Sequence, residues 1–142
     1  MRVRDVLGHK GGGVVTVRPD ATCRDLLALL AQHNIGAVVV SPDGITVAGI
    51  VSERDVVRRL NDRGAEILDA PVEQIATLQV KTCDPEDSLD ELRETMTVRR
   101  FRHIPVVSQN RLVGIVSIGD VVKSTISQLE DEKQHLIDYL QS

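Results

Sequence analysis

Aromatic side chains are almost missing from this chain of 142 residues, which has one Phe, one Tyr and no Trp. Proteins that bind single-stranded nucleic acid stack bases on aromatic rings, so the shortage argues against that function. The net charge is −4 and the isoelectric point lies near 5.5, whereas proteins that bind duplex DNA present a basic surface. We therefore expect no nucleic-acid partner and a core of Val, Ile, Leu and Ala.

Long apolar runs and a signal-like N-terminus are also missing. A transmembrane helix needs about 20 consecutive apolar residues. A secretory signal needs a basic start followed by an apolar stretch. The sequence therefore predicts a cytoplasmic protein that does not bind a membrane.

Cysteine is scarce, and neither Cys23 nor Cys83 belongs to a CxxC motif or a Cys/His cluster. The four histidines show no metal-ligand spacing, and no Ser or Cys has an identifiable His and acid to activate it. We expect buried or idle thiols, no metal site and no enzymatic activity.

The glycine-rich residues 8–13 have the composition of a phosphate-binding loop. They lack the Gly-Lys-Ser/Thr ending of a P-loop and the GxGxxG spacing of a dinucleotide-binding unit. A mobile connection is the better prediction.

The chain does contain an internal repeat. Residues 49–57 read Gly-Ile-Val-Ser-x-x-Asp-Val-Val, and residues 114–122 read the same. Upstream, Pro19 aligns with Pro85, so the spacing between the copies falls from 66 residues to 65. Two copies of about sixty residues cover almost the whole chain, and repeated units of this kind bury their apolar faces against each other.

Each copy is predicted to contain a strand, a helix, two strands and a helix. Runs of β-branched residues predict the strands, and Ser or Thr followed three residues later by an acid predicts the helix starts. The predicted strands cover residues 14–17, 35–40, 47–51, 80–83, 102–107 and 112–116, and the predicted helices begin at Thr22, Ser52, Ser88 and Ser117. In each copy the second and third strands form an antiparallel hairpin. In the helix from Ser52, we expect Val56, Val57 and Leu60 to face inward.

The C-terminal residues 126–142 continue a helical pattern. Apolar side chains recur on one helical face, with Lys133 as an interruption: Ile126, Leu129, Leu136, Ile137 and Leu140. Two interpretations remain open. Either the last helix folds back on its own domain, or it forms a short helix-pairing seam between protomers.

A hydrophobic strand, Gly-Ile-Val-Ser-x-x-Asp and a closing helix together resemble the CBS domain, and two tandem copies resemble a Bateman module. The resemblance spans roughly residues 1–125. It implies an α/β (α+β) fold of two β-α-β-β-α repeats with pseudo-two-fold symmetry, at residues 1–66 and 71–125, followed by a helical extension at 126–142. It also implies that two modules pair as a homodimer.

Ser52-x-x-Asp55 and Ser117-x-x-Asp120 have two interpretations. The pattern is a helix-capping box, which the chain also uses at Thr22. Since Glu or Gln should reach back to the cap amide better than Asp, we expect Asp to have a further role. The resemblance implies that each Asp binds a ribose diol, with the Ser near ribose or phosphate at a helix N-terminus that favours anions.

The resemblance also places a purine between apolar strand starts, with basic residues on the phosphate. The first copy offers the uncharged Ile35-Gly36-Ala37 and the second offers Phe101-Arg102-His103, so we expect unequal sites. The candidate ligand-binding residues are Thr16, Ile35, Gly36, Ala37, Val38, Ser52, Arg54, Asp55, Thr82, Phe101, Arg102, His103, Ile104, Pro105, Ser117 and Asp120. Additional positive charge near these positions comes from Arg58, Arg99 and Arg100.

These features predict a regulatory module that binds an adenine nucleotide (AMP, ADP, ATP or NAD(H)) between its repeats. It would signal to an unidentified effector protein through a change of conformation or assembly. No catalytic cofactor is expected. The alternative is a homo-oligomeric interaction scaffold with no small-molecule ligand, in which both Asp residues only cap helices.

Overall fold

Five α-helices and five strands follow one another in the computed structural model, which describes residues 1–10 and 13–142. In chain order they are α1 (Val3–Lys10), β1 (Thr16–Val17), α2 (Cys23–His33), β2 (Ala37–Val40), β3 (Gly49–Ser52), α3 (Glu53–Arg63), α4 (Leu89–Arg99), β4 (His103–Ser108), β5 (Arg111–Ser117) and α5 (Ile118–Gln141). Two short 3₁₀ helices, Ala65–Asp69 and Val72–Gln74, connect the two repeats.

Helices α2 to α5 begin where the sequence predicts. Their N-cap residues are Thr22, Ser52, Ser88 and Ser117. In each case the side-chain oxygen of the cap accepts a hydrogen bond from the backbone N–H three residues later. This bond satisfies one of the N–H groups that the first turn of a helix leaves unpaired.

The predicted hairpins are also confirmed. Strand β2 pairs antiparallel with β3, and β1 lies parallel to β2 in a three-stranded sheet. Strands β4 and β5 form a separate two-stranded antiparallel sheet. The register places Ala37 opposite Ser52 and His103 opposite Ser117. Each hairpin therefore brings the start of one strand beside the N-terminus of the following helix.

The strand predicted at residues 80–83 is wrong. Only Cys83 pairs with β4, in a single parallel bridge to Val106. Its N–H donates to the Pro105 carbonyl at 3.0 Å, and its carbonyl accepts from the Val107 N–H at 2.8 Å. The next bond of a parallel ladder would run from the N–H of residue 105 to the carbonyl of Lys81, and proline has no N–H. The first strand is also shorter than predicted, since β1 contains only Thr16 and Val17.

Each repeat has its own apolar core, and the segment that precedes one repeat completes the core of the other. Val3 and Val6 of α1 are buried in the second core, with exposed fractions of 0% and 2%. The connection between the repeats buries Ile67, Val72 and Ile75 in the first core. The two repeats are therefore interlocked by a reciprocal exchange of segments.

Both cysteines are free and buried, in agreement with the sequence-based expectation. Cys83 belongs to the second core at the position that Val17 occupies in the first. Burial raises the pKa of the Cys83 thiol to about 12 and also raises that of Cys23. The thiols act as small apolar side chains and stay protonated at neutral pH.

Helix α5 runs for 24 residues without a break. Val121 is buried in the second core, and the Arg93 guanidinium of α4 donates to the Thr125 hydroxyl at 3.0 Å. Beyond this point the apolar side chains of α5 are largely exposed. Of the two interpretations left open by the sequence, a last helix that folds back on its own domain does not fit this structure, since no Gly or Pro interrupts the helix after Gly119. The inward position predicted for Val57 is wrong, because its exposed fraction is 65%.

Over the described ranges, no helix combines the length and the apolar character needed to cross a bilayer.

Candidate functional site

Two adjoining cavities lie beside the paired strand starts and helix N-termini. One has a volume of about 460 Å³ and includes Asp120, and the other has a volume of about 530 Å³ and includes Asp55. We call them the Asp120 pocket and the Asp55 pocket. Gly36, Ala37 and His103 line both cavities, so the two pockets share a wall.

The Asp120 pocket combines the carboxylate of the second repeat with the strand start of the first. Its lining residues are Leu7, Gly13, Val14, Val15, Asn34, Ile35, Gly36, Ala37, His103, Val113, Gly114, Ile115, Ser117 and Asp120. Aliphatic side chains and polar groups both contribute to the wall.

In the Asp55 pocket the two repeats exchange these roles. The first repeat contributes the carboxylate, and the second repeat contributes a strand start. Its lining residues are Gly36, Ala37, Ile50, Ser52, Glu53, Arg54, Asp55, Arg58, Thr77, Gln79, Val80, Lys81, Arg100, Phe101, Arg102 and His103. A ligand in either pocket would touch both repeats. Alignment of the two repeats in the sequence does not show that each pocket combines residues of both repeats.

Both carboxylates complete a capping box. Oδ2 of Asp55 accepts from the Ser52 N–H at 2.8 Å and from the Ser52 hydroxyl at 3.1 Å. Oδ2 of Asp120 accepts from the Ser117 N–H at 2.9 Å. Asp25 makes the same box with Thr22, at 3.0 Å. Asp is therefore long enough to complete the box, since Oδ2 reaches the cap N–H in all three, and its presence does not by itself require the further role expected from the sequence.

Position in the fold, not the local motif, separates Asp55 and Asp120 from Asp25. Asp55 and Asp120 line the cavities, whereas Asp25 lines neither. The capping box uses Oδ2 of Asp55, and Oδ1 accepts no hydrogen bond from the residues that the structure describes. One carboxylate can therefore cap its helix and still accept hydrogen bonds from a ligand.

Backbone hydrogen bonds fix each strand start to a helix start. The Glu53 N–H donates to the Gly36 carbonyl at 2.9 Å, and the Ile118 N–H donates to the Arg102 carbonyl at 2.8 Å. Gly36 has no side chain, and a Cβ placed there would lie 3.4 Å from Oε1 of Glu53. Because Gly36 has no side chain, a flat ring can approach the backbone at this part of the shared wall.

Five basic side chains line the Asp55 pocket, namely Arg54, Arg58, Lys81, Arg100 and Arg102. All five are exposed. Among the described residues, none of them forms an ion pair. Six other arginines do pair with a carboxylate, and all six lie outside this pocket: Arg2, Arg4, Arg18, Arg24, Arg63 and Arg93. The pocket therefore has a surplus of positive charge.

Most of the candidate residues from the sequence lie in one or both pockets. The candidates that line a cavity are Ile35, Gly36, Ala37, Ser52, Arg54, Asp55, Phe101, Arg102, His103, Ser117 and Asp120. The candidates that line neither are Thr16, Val38, Thr82, Ile104 and Pro105. Val38 and Ile104 are 1% exposed and belong to the two cores, because successive side chains of a strand face opposite sides.

Other lining residues were not among the candidates. Val14 and Val15 precede β1, and their repeat equivalents Val80 and Lys81 line the other pocket. The repeat spacing offers a signal for these four positions. No sequence signal points to Leu7, because α1 reaches the Asp120 pocket only through the exchange of segments.

The glycine-rich residues 8–13 do not form one structural element. Residues 8–10 belong to α1 and Gly13 lines the Asp120 pocket. The mobile connection predicted here falls on Gly11 and Gly12, which lie outside the described residues. Among the side chains that the structure describes, no group of three or more His, Cys, Asp or Glu could hold a metal ion.

Comparison with known proteins gives consistent results. The sequence profile of the CBS domain matches residues 3–62 and 72–126. A mitochondrial CBS domain-containing protein of Arabidopsis thaliana, CBSX3, is 35% identical over 98% of this chain and 71% of its own length. A CBS-domain protein of Agrobacterium tumefaciens is 44% identical, with a TM-score of 0.84 over 88% of this chain and 99% of its own.

A third relative was solved with a bound nucleotide. It is the CBS domain protein PAE2072 of Pyrobaculum aerophilum, complexed with AMP. It is 30% identical to this chain, with a TM-score of 0.75 over 84% of this chain and 89% of its own. From the repeated motif, the paired folds and these matches, the chain belongs to the CBS domain family and carries two copies of the domain in tandem.

Proposed function

We propose that this protein is a regulatory module that binds an adenine nucleotide in the cleft between its two CBS domains. One observation carries the proposal. The chain has three Asp capping boxes of the same geometry, and the two at equivalent repeat positions stand in adjoining cavities. The AMP complex of the Pyrobaculum relative supports the choice of ligand class.

The chemistry of the pockets suits a nucleotide. Their volumes of about 460 and 530 Å³ fall within the range of about 300–1,000 Å³ that is usual for small-molecule sites. The free Oδ1 of Asp55 can accept hydrogen bonds from a ribose diol. The purine would lie against Gly36 and Ala37, and a phosphate would lie near the helix N-terminus.

Signalling would follow from the way each pocket is built. Since a ligand touches both CBS domains, it binds best when the domains are held in one relative arrangement and shifts the population toward it. An effector protein would read that arrangement, and no catalytic step is involved. The cytoplasmic location stays a prediction from the sequence, and a mitochondrial location is stated only for the Arabidopsis relative.

The test uses the third capping box as a matched control. Asp55→Ala, Asp120→Ala and Asp25→Ala each remove the carboxylate half of one box and leave the Ser or Thr cap in place, so each should cost about 0.5–1.5 kcal/mol of folding stability. Loss of a charge-assisted hydrogen bond to ribose should lower affinity for AMP or ATP by about ten- to a hundredfold at the altered pocket only. Asp25→Ala should leave nucleotide affinity unchanged. Isothermal titration of nucleotide-free protein measures all three.

Nucleotide binding that is equally strong in all four proteins would contradict the assigned site. No binding of AMP, ADP, ATP, NAD or NADH to the wild-type protein would reject the proposed function. In that case Asp55 and Asp120 would serve only as helix caps.

A second function, self-assembly, is favoured by the exposed face of α5. Its side chains alternate at spacings of four and three residues: Val122, Ile126, Leu129, Lys133, Leu136 and Leu140. This is the spacing of a coiled-coil seam, and the five apolar members are 46% to 73% exposed. We call these six residues the α5 seam. We also propose that a second copy of the chain covers it.

The charged residues on and beside the α5 seam are compatible with pairing to a second copy of the chain. Lys133 interrupts the apolar series and is flanked along the chain by Glu130, Asp131 and Glu132. When two such helices pair, each lysine can reach acidic side chains of the other, and a single polar residue at a seam position is known to specify oligomer state. Burial of the five apolar side chains between the two helices would then drive the pairing.

The double variant Leu129→Glu with Leu136→Glu should halve the assembled mass measured by light scattering. Ser127→Glu with Gln134→Glu adds the same charge to other faces of α5 and should leave the mass unchanged. An unchanged mass in the leucine variant would reject pairing through the α5 seam.

A further inference from the structure

The Asp55 pocket gathers more positive charge than one phosphate group needs. Its lining includes the carboxylates of Glu53 and Asp55 and five Lys or Arg side chains: Arg54, Arg58, Lys81, Arg100 and Arg102. The cations therefore exceed the carboxylates by three. A phosphate monoester carries about −1.5 to −2 charges at neutral pH, so a single phosphate leaves part of this surplus uncompensated.

These cations come from three separate segments of the chain. Arg54 and Arg58 lie on α3, Lys81 lies in the connection between the domains, and the other two follow α4. All five are exposed, and none forms an ion pair with a described residue. Their charges add up to a positive potential in the cleft. A chain of several phosphates offers oxygens to more of these side chains than one phosphate does, and guanidinium groups bind such oxygens in bidentate geometry.

The positions of the two α3 arginines are unfavourable in the free protein. Arg54 lies in the first turn of α3, where the helix dipole disfavours a positive charge. Arg58 follows four residues later, and like charges at that spacing destabilise a helix. Local choices that reduce stability without a compensating contact are expected at functional sites.

The backbone of Arg100 provides a separate observation of the same kind. Arg100 is the C-cap of α4 and has a left-handed conformation, with φ of 59° and ψ of 32°. The C-cap of α2 has the same conformation but is an asparagine, Asn34, with φ of 52°. Gly and Asn adopt this conformation at lower cost than other residues. The second domain thus has a strained arginine at this position, and its side chain lines the Asp55 pocket.

We propose that the Asp55 pocket selects an adenine nucleotide with a polyphosphate chain over the monophosphate, and that Arg100 is a specificity-determining residue in this selection. The inference rests on the proposed function and adds to it a ligand class and a residue for one pocket. The bound phosphate chain would offset the repulsion among cations of both domains. It would therefore favour the arrangement in which both domains face the ligand.

AMP and ATP are the decisive probes, because they differ only in the length of the phosphate chain. Asp120→Ala removes the carboxylate of the other pocket, so titration of this variant reports on the Asp55 pocket. Without divalent cations, which would neutralise the phosphates, ATP should bind at least about tenfold more tightly than AMP. The preference should shrink as the salt concentration rises. Inorganic triphosphate, which lacks the nucleoside, should bind at least about tenfold more weakly than ATP.

Two neighbouring arginines provide a matched control. Arg99 precedes Arg100, is also exposed and lines neither pocket. In the Asp120→Ala background, Arg100→Asn should lower ATP affinity by about three- to tenfold and AMP affinity by less than about twofold. Arg99→Gln should change both affinities by less than about twofold. Arg100→Lys keeps the charge without the planar fork, so its preference for ATP should lie between those of Arg100→Asn and Asp120→Ala alone.

Arg100→Asn should also stabilise the protein in the absence of nucleotide, because asparagine adopts the left-handed conformation more readily. Its melting temperature should rise by about 1–4 °C, whereas added ATP should raise it further by less than in the parent protein. A lower melting temperature in nucleotide-free Arg100→Asn would show that Arg100 has a structural role and would overturn its assignment.

Three binding results would overturn the selection of a polyphosphate. They are equal affinities of AMP and ATP for Asp120→Ala, equal effects of Arg100→Asn and Arg99→Gln, and an affinity for inorganic triphosphate as high as that for ATP. In the first two cases an adenine nucleotide still binds, so the proposed function survives. Absence of binding by both AMP and ATP to the wild-type protein would instead reject the proposed function together with this inference.

Discussion

The first CBS domain pairs a two-residue strand, β1, with β2, whereas the second pairs a single residue, Cys83, with β4. The apolar position is kept in both, since Cys83 fills the place of Val17. The two backbone hydrogen bonds of Cys83 with β4 are formed, but the next bond of the ladder is missing, because Pro105 replaces Val39 and removes a donor. The two domains therefore keep an apolar side chain at this core position, although their backbone pairing differs.

The pockets extend the same comparison to function. Ser-x-x-Asp and its capping box are nearly identical in both domains, with cap distances of 2.8 and 2.9 Å. Among the described lining residues, the Asp55 pocket has five basic side chains and the Asp120 pocket has no Lys or Arg. Divergence between the sites thus lies in residues that surround the motif and not in the motif itself.

The exchange of segments between the domains gives the largest expected effect. Val6→Asp places an unpaired carboxylate in the second core and should lower the free energy of unfolding by more than about 3 kcal/mol. Ile75→Asp should do the same in the first core. Denaturant titration measures both losses. The control Gln74→Asp, one residue before Ile75 and outside the apolar cores, should cost less than about 0.5 kcal/mol.

Amide hydrogen exchange in less destabilising variants should show which domain loses stability. In Val6→Ala, amides of α4 and β4 should lose protection first, although the substitution is in the N-terminal helix. In Ile75→Ala, amides of α2 and β2 should lose protection first. Loss of protection in the same elements for both variants would contradict the reciprocal exchange.

Two equivalent glycines should respond unequally to alanine. A Cβ at Gly49 would lie 2.8 Å from the backbone carbonyl oxygen of Thr77, which is fixed by hydrogen bonds with Ile50. A Cβ at Gly114 would lie 2.5 Å from Cδ2 of Leu7, the end of a flexible side chain. We expect a loss of about 1–3 kcal/mol in Gly49→Ala and a smaller loss in Gly114→Ala. Equal urea midpoints for the two variants would show that the linker is as adaptable as Leu7.

Cys83 should make the second domain sensitive to alkaline pH. Burial raises the pKa of its thiol from 9.0 to about 12, so between these values the unfolded chain releases a proton that the folded chain retains. The stabilising effect is complete below pH 9 and is lost as pH rises towards 12. Cys83→Val, which copies the first domain, should show a shallower decline in melting temperature over this range. Parallel declines in both proteins would assign the effect to other groups.

The smallest expected effect concerns the loop between β2 and β3. The Asp43 carboxylate accepts from the N–H groups of Thr46 and Ile45, both at 2.8 Å, and these bonds lower its pKa from 3.8 to about 2. The stabilisation is present above pH 3.8 and is lost as pH falls towards 2. The protection factor of the Ile45 amide, which corrects for the intrinsic pH dependence of exchange, should therefore fall in acid, while that of the β4–β5 turn at Gln109 and Asn110 should not. Asp43→Asn should remove the dependence on pH.

Local sequence signals predicted much of the fold. The start of each repeat helix was correct because a Ser or Thr cap and an acid three residues later satisfy the same N–H groups wherever they occur. The hairpins were correct because β-branched runs flanked turn residues. The strand at residues 80–83 failed because its partner strand lacks one donor, at Pro105, and that partner lies 22 residues away in the sequence.

The site was less accessible to prediction than the fold. Gly36, Asp55 and Arg102 could be proposed from the repeat and the family resemblance, since each belongs to a repeated position. The pairing of each strand start with the carboxylate of the other domain could not, because it depends on how two domains pack. Leu7 was missed for the same reason, as its role arises from the docking of α1 on β5 and not from its neighbours in sequence.

The docking of α1 has a consequence for synthesis of the chain. Its partners include the backbone of Pro85 and Asp87, which accept from Arg4 and Val3 at 2.8 and 3.0 Å. Helix α1 is synthesised before the second domain, yet its binding surface is complete only after that domain has been made. A helix of 8 residues is marginal on its own, so during translation it must wait unfolded for most of the chain. Residues of α1 are thus synthesised before both hairpins but are among the last to reach their native contacts.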